Sequence, residues 1–251
     1  MSSMSVDYQD TVALARLSRG VTNALDLDLV NELGALLERI ERDPGTRALV
    51  LGSQADKFFS IGFDIPHLFE LPRRDFKVFY TAFNRVCLSL YTLPKPTVAA
   101  ITGHAVAGGC ILALCCDYRF IAEGKKLMGL NEIKLGVPVP YLADCALRNI
   151  VGTRYARDMM DTGEFYAPED LGRMGLVDEV LPVGDVMPKA VEKARLLGAW
   201  PPSAYALIKR NRVEQIERRV LAQREEKERL FVDCWYSEEA RRRLKEAIEK
   251  F

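Results

Sequence analysis

The chain reads as α/β, a mixed strand–helix body followed by an almost wholly helical C-terminal region. Three observations predict this. Thr97–Thr102 is an apolar run of strand length, followed by Gly103, Gly108 and Gly109 and then by Cys110–Cys116, which is apolar on every face. Ala48–Leu51 is a short, continuously apolar run of the kind seen in strands buried on both sides. From Val186 onward the apolar residues recur almost entirely at helical spacing.

Taken in order, Thr11–Ser18 reads as the first strand and Arg19–Leu25 as a loop. Asp26 is placed to cap a helix running to about Arg42, with Leu27, Val30, Leu33, Leu37 and Ile40 on one face and Pro44-Gly45 ending it. The Ala48–Leu51 strand leads into Phe58–Asp64, read as a loop with one glycine. A short helix from about Pro66 and a longer one over Asp75–Thr92 follow, the latter with Phe76, Phe79, Phe83, Val86 and Leu90 at helical spacing. Pro94 and Pro96 close it before the central strand. Tyr118–Ala122 and Lys126–Met128 read as strands, Gly129–Gly136 as a loop, and Val137–Pro140 as a rigid connection. Helices are expected over Leu142–Ile150, Arg154–Asp161 and Ala167–Met174, with a strand at Val177–Leu181. Ser203 and Ser237 are candidate N-caps of later helices.

Composition narrows the function classes. A chain of 251 residues suits one large domain, or one with a helical appendage. Lys plus Arg and Asp plus Glu are both 35, so the formal net charge is zero, which argues against a nucleic-acid partner. No apolar run approaches the roughly 20 residues that span a bilayer, so no membrane partner is expected. Met1–Asp10 lacks both the basic start and apolar core of a secretion signal and the arginines of a mitochondrial presequence, so a cytoplasmic enzyme is expected. Six cysteines in apolar helical contexts, with no CxxC pair, read as buried thiols; His67 and His104 are too few and too separated for a metal site. The charges of both signs in Arg210–Arg229 read as a solvated helix face.

A strand, a glycine loop and a buried helix together aim unpaired backbone N–H groups into the loop, and glycine lets a ligand come close to the main chain. An Ala-Gly-Gly turn alone is equally what a ligand-free strand-to-helix connection uses. Glu132 lies among Leu130, Ile133 and Leu135; burial there would raise its pKa toward that of a useful base, while a solvated loop glutamate is the plainer alternative.

Three stretches in this order resemble the crotonase (enoyl-CoA hydratase/isomerase) superfamily. Phe58-Phe-Ser-Ile-Gly-Phe-Asp64 is similar to its F-C/S-A-G-x-D loop. Gly103–Cys110 with Cys116-Asp117 is similar to its G-x-A-x-G-G-G-C segment and C-D pair, and Gly129–Gly136 to its P/L-E-x-x-L-G segment. The resemblance implies a spiral of ββα turns over residues 1–200 with the active site, and a helical oligomerisation region over 201–251 that forms homotrimers or hexamers. It implies a coenzyme A thioester as substrate and no separate cofactor. Carried onto this chain, the backbone N–H groups of Phe63 and Gly108 hold the thioester oxygen and Glu132 is the catalytic acid–base. Coenzyme A contacts are expected from Asn23, Ala24 and the loop Ile61, Gly62, Phe63, Asp64, Ile65, with Asn131 near the substrate and Lys209 against a phosphate.

The chain departs from the hydratase pattern at Ile111, where those enzymes carry a second glutamate. One glutamate without the other resembles the 3,2-enoyl-CoA isomerases, which need a single carboxylate to move a proton from C2 to C4; hydration also has to place and activate water. Phe63 and Ile61 replace smaller residues and are expected to reshape the acyl pocket. A dienoyl- or alicyclic-CoA reaction, a hydratase-like one, or a catalytically silent binding module remain the alternatives. His104 is expected to be structural or solvated, and Asp64 to fix its turn by hydrogen bonds to backbone.

Overall fold

The computed structural model describes residues 3–249. Expectations that fall on residues 1–2 and 250–251 lie outside them. The order of elements is a repeated strand, strand, helix. β1 (Met4–Gln9) and β2 (Val12–Leu17) lead to α1 (Leu27–Arg42). β3 (Ala48–Ser53) and β4 (Phe58–Ser60) lead to α2 (Ile65–Phe69) and α3 (Arg73–Thr92). β5 (Thr97–Ile101) and β6 (His104–Val106) lead to α4 (Gly108–Leu114), and β7 (Tyr118–Ala122) and β8 (Met128–Gly129) to a 3₁₀ turn (Glu132–Leu135) and α5 (Tyr141–Thr162). The chain continues through β9 (Phe165–Tyr166), α6 (Pro168–Met174), β10 (Glu179–Leu181), α7 (Val183–Gly198), α8 (Pro202–Trp235) and α9 (Glu238–Ile248).

Each turn from β3 to β8 gives its first strand to one sheet and its second to another. The larger sheet has the order β1-β2-β3-β5-β7-β10, parallel except for the β1–β2 pair, and the smaller has the order β4-β6-β8-β9. The chain therefore advances as a spiral, and the helices seal its outside. Alternate residues of the larger sheet part cleanly. Ala13, Ala15, Leu17, Leu49 and Leu51 face the main core with α1 and α3, while Val12, Leu14, Ala48 and Val50 face α7. Burial on both faces is why these strands read as unbroken apolar runs.

Local chemistry sets the boundaries. Asp26 caps α1 by accepting from the Leu29 N–H at 2.9 Å, and Ser237 caps α9 by accepting from Ala240 N–H at 3.2 Å. Ser203 does not cap α8: the helix starts one residue earlier, at Pro202, which needs no N–H there. The two helices expected over 142–161 follow one another directly, turned at Gly152, whose φ of 75° and ψ of 169° no helix contains. Four strands went unseen in the sequence. β4 and β6 have three residues each and β9 two, too few to show a period, and β1 is an edge strand that buries only Met4.

The helices after Pro202 pack on their own chain, α8 against α3, and α9 against α2 and the 3₁₀ turn. Val213, Val220, Phe231, Trp235 and Leu244, in the region expected to oligomerise, are buried within the chain, whereas Leu207 stays exposed. Among the described residues no helix is long and apolar enough to cross a membrane.

α8 is tied to the sheet by a buried ion pair. Lys209 is 1% exposed, and its Nζ lies 2.8 Å from Asp117 Oδ2 and donates to Lys95 O at 3.1 Å. Asp117 also accepts from Thr97 N–H and Oγ1–H, Tyr205 Oη–H and Arg212. The expectation that Lys209 meets a coenzyme A phosphate is therefore corrected: its charge is spent inside the protein, where no ligand reaches it. Removing one member of a buried pair leaves the other uncompensated, which costs about 3–5 kcal/mol. Because Arg212, Tyr205 and Thr97 still serve Asp117, Lys209→Ala is expected to lower the unfolding free energy by about 3 kcal/mol, the low end of that range. Urea titration checks this, and a loss below about 1 kcal/mol, the scale of an exposed pair, would contradict it.

Candidate active site

Two glycine loops meet backbone to backbone where β4 and β6 end. Gly62 has φ +94°, and a Cβ there would stand 2.8 Å from Gly108 N and 3.0 Å from Val106 O. A Cβ on Gly109 would fall 2.3 Å from Ser60 O. Only glycine allows this approach, and it brings Phe63 beside the start of α4.

Phe63 is held by its neighbours. Leu25 N–H donates to Gly62 O at 2.7 Å and Asp64 N–H donates to Leu25 O at 2.9 Å, a single parallel bridge. In such a bridge the central residue's own N–H points the other way. Gly108 opens α4, where the first N–H groups have no intrahelical acceptor. Before it, Ala107 sits at φ 47° and ψ −117°, a conformation that costs a residue with a side chain on the order of 1–3 kcal/mol. Its N–H is fixed on Gly129 O at 2.9 Å and its carbonyl on Ile111 N–H at 2.9 Å. Neither Phe63 N–H nor Gly108 N–H has a hydrogen-bond partner among the described residues. The two are thus spare donors side by side.

Glu132 starts the 3₁₀ turn after β8 and is 5% exposed. Its Oε2 is buried without a partner, as is Asn131 Oδ1 beside it. Burial, with no cation to offset it, pushes the Glu132 carboxyl up to about 7. Both residues, with Phe63 and Gly108, line a cavity of about 350 Å³ whose remaining wall is mainly apolar, including Ile61, Ile65, Val137 and Phe165. Glu132 is the one carboxylate among the described lining residues. Ile111 is buried in α4 and leaves no second acid there.

The remaining expected residues divide. Ile61 and Ile65 line the cavity, and Gly62 forms the crossing. Asp64 fixes its turn, accepting from His67 N–H at 3.2 Å and pairing with Arg19 at 2.9 Å, while Arg19 also holds Asp26 at 2.8 Å. Asn23 is corrected from a ligand contact to an internal brace. It is fully buried, accepts from Arg19 N–H, and donates to Ser53 Oγ at 2.8 Å and Phe59 O at 3.1 Å. Ala24 is half-buried beside it, its carbonyl on Arg19 Nη1 at 2.9 Å. His104 lines the cavity and accepts from Leu127 N–H through Nδ1 at 3.0 Å; burial, then Lys126 and Lys57, holds its pKa below the usual value.

Sequence reasoning missed Phe231 and Trp235 as site residues. They close the cavity from α8, and Ala247 joins them from α9, so the site expected within residues 1–200 draws on the C-terminal helices too. Their i, i+4 spacing puts both on one helix face, but only the fold shows that this face meets the loops.

Against known proteins, the enoyl-CoA hydratase/isomerase family model matches residues 7–251. The chain is 34% identical over 180 residues to the mitochondrial enoyl-CoA delta isomerase 1 of Mus musculus, covering 71% of this chain and 62% of that protein, under two thirds of its length. It is 29% identical over 210 residues to a short-chain-enoyl-CoA hydratase of Clostridium acetobutylicum, covering 83% of this chain and 80% of that protein. The crystal structure of human mitochondrial delta3-delta2-enoyl-CoA isomerase superposes with a TM-score of 0.95 at 28% identity, covering 99% of this chain and 97% of that one. The fold is therefore the crotonase fold, and the chain belongs to the enoyl-CoA hydratase/isomerase family.

The raised Glu132 pKa carries a stability signature. Between its ordinary value and about 7, the folded protein holds a proton that the unfolded chain has released, so stability falls as pH rises through this window. Glu132→Gln removes that dependence. Its stability relative to wild type is expected to improve by roughly 2–3 kcal/mol between pH 5 and pH 8. Urea titrations of both proteins at the two pH values check it; a constant difference would contradict a desolvated carboxyl.

Proposed function

We propose that this protein is an acyl-CoA double-bond isomerase that converts 3-enoyl-CoA to 2-enoyl-CoA, with coenzyme A carried by the substrate and no separate cofactor. The observation that supports it is a single desolvated carboxylate, Glu132, in an apolar cavity that also holds the spare N–H groups of Phe63 and Gly108. Ionised Glu132 takes a proton from C2. The electron pair moves onto the thioester oxygen, giving a dienolate that the two N–H groups stabilise; one such donor is typically worth about 10²–10³ in rate. The protonated carboxyl then returns the proton at C4, and the double bond settles into conjugation. Apolar walls keep water from the dienolate. Asn131, next to Glu132, is proposed to contact the substrate or orient that carboxyl.

Hydration is the competing reading, since several relatives are named hydratases. It is disfavoured because water must be positioned and activated, and Glu132 has no second carboxylate beside it in the described wall. The exposed Leu207 and Ile208 on α8 support a further proposal, assembly as a trimer or hexamer. Light scattering at micromolar concentration should give a multiple of three protomers, and a monomer would contradict it.

The reaction itself is tested with 3-enoyl-CoA and crotonyl-CoA. Wild type should isomerise the first and hydrate the second poorly, and Glu132→Gln should lower isomerase kcat by about 10²–10⁴. Because Glu132 must be ionised to act, kcat/KM should fall as pH drops through about 7. Equal rates on the two substrates, or full activity in Glu132→Gln, would refute the assignment.

A further inference from the structure

Three buried side-chain polar atoms among the described residues have no hydrogen-bond partner: Asn131 Oδ1, Glu132 Oε2 and Trp235 Nε1. All three residues line the same cavity. The two acceptors belong to the reaction centre of the proposed function. The donor does not, and the proton shuttle has no use for it.

Trp235 is 1% exposed at the end of α8, stacked on Phe76 with ring centroids 4.3 Å apart and 6.4 Å from the ring of Phe63. The other polar handles of this aromatic cluster are satisfied. Tyr236 Oη donates to Leu71 O at 2.7 Å, and the Tyr80 hydroxyl pairs with Asn84. Phenylalanine would fill a similar space with no donor to satisfy, and buried indole N–H groups ordinarily find an acceptor. Trp235 is a lining residue of the cavity, and an unmet donor on such a residue is the complement of an acceptor on the ligand. It also serves specificity, since a bare hydrocarbon leaves the N–H unpaired and an oxygen in the right place pairs it.

We infer that Trp235 is a specificity-determining residue that donates a hydrogen bond to an oxygen on the acyl chain, so that the preferred substrates are oxygen-bearing acyl-CoA thioesters rather than plain hydrocarbon ones. This rests on the acyl-CoA reading of the site. Phe63 links the two ends of the cavity: its N–H is one of the thioester donors and its ring packs near the indole. The oxygen therefore lies on the acyl side of the thioester, beyond the carbons that exchange the proton.

Saturated acyl-CoAs bind without turnover and separate this inference from the isomerase chemistry. Calorimetric titration would compare unsubstituted chains of six to ten carbons with the same chains carrying a keto oxygen at successive positions from C5 onward. One position should bind wild type about five- to tenfold more tightly than its parent chain, the size of one well-made hydrogen bond. In Trp235→Phe that ratio should collapse to about one. A preference that persists unchanged in Trp235→Phe overturns the inference. So does wild-type binding with no preference at any position, a result that stands even if the variant fails to fold and that leaves the isomerase proposal intact. Absence of any acyl-CoA binding overturns both.

Discussion

The crossing of two main chains at Gly62, Gly108 and Gly109 is the constraint on which the rest of the site depends. Side chains are excluded there by distance, since a Cβ on Gly109 would fall 2.3 Å from Ser60 O. The contact is possible because β4 and β6 are parallel neighbours in the smaller sheet and both chains leave it at the same edge. Around the crossing the polar groups are closed off one by one. Asn23 braces Phe59 and Ser53, Ser60 Oγ donates to Asn23 O at 2.7 Å, and Leu25 takes up the carbonyl before Phe63 and the N–H after it. What remains is a pair of donors without a hydrogen-bond partner among the described residues. The strain at Ala107 sits on the residue that sets the direction of one of them.

Glu132 is the second half of the arrangement, and the same spiral delivers it. β8 pairs with β6, so the turn that follows β8 lies over the cavity that the crossing opens. The carboxyl is desolvated and left without a cation, in contrast to Asp117, whose side chain is also buried, at 4% exposed, but is held by Lys209, Arg212, Tyr205 and Thr97. Two buried acids in one chain thus serve opposite ends. One is neutralised by partners and ties α8 to the sheet. The other is kept poised near neutral pH by their absence.

Much of this was legible in the residues. Ala48–Leu51 and Thr97–Ile101 read as strands because both faces are buried, and α1 and α3 because their apolar residues recur at helical spacing. The glycine loops and Glu132 were visible through resemblance, since their order along the chain survives where the overall sequence has diverged. Long-range matters were not legible. Lys209 looked like a free cation because Asp117 is 92 residues away, and only the folded chain brings the two together. Phe231 and Trp235 fell in the region expected to oligomerise, because periodicity marks a buried face without saying what covers it. Asn23 looked available because nothing local reveals that its amide is spent on Ser53 and Phe59.

The central claim is that desolvation, rather than a charged neighbour, makes Glu132 a base near neutral pH. Infrared difference spectroscopy of the carboxyl stretch, wild type minus Glu132→Gln, measures that ionisation directly across pH 4 to 9. The account predicts a protonated-carboxyl band, shifted as for an apolar setting, that disappears with a midpoint of about 7. A midpoint in the ordinary carboxylate range, near 4.3, would contradict it.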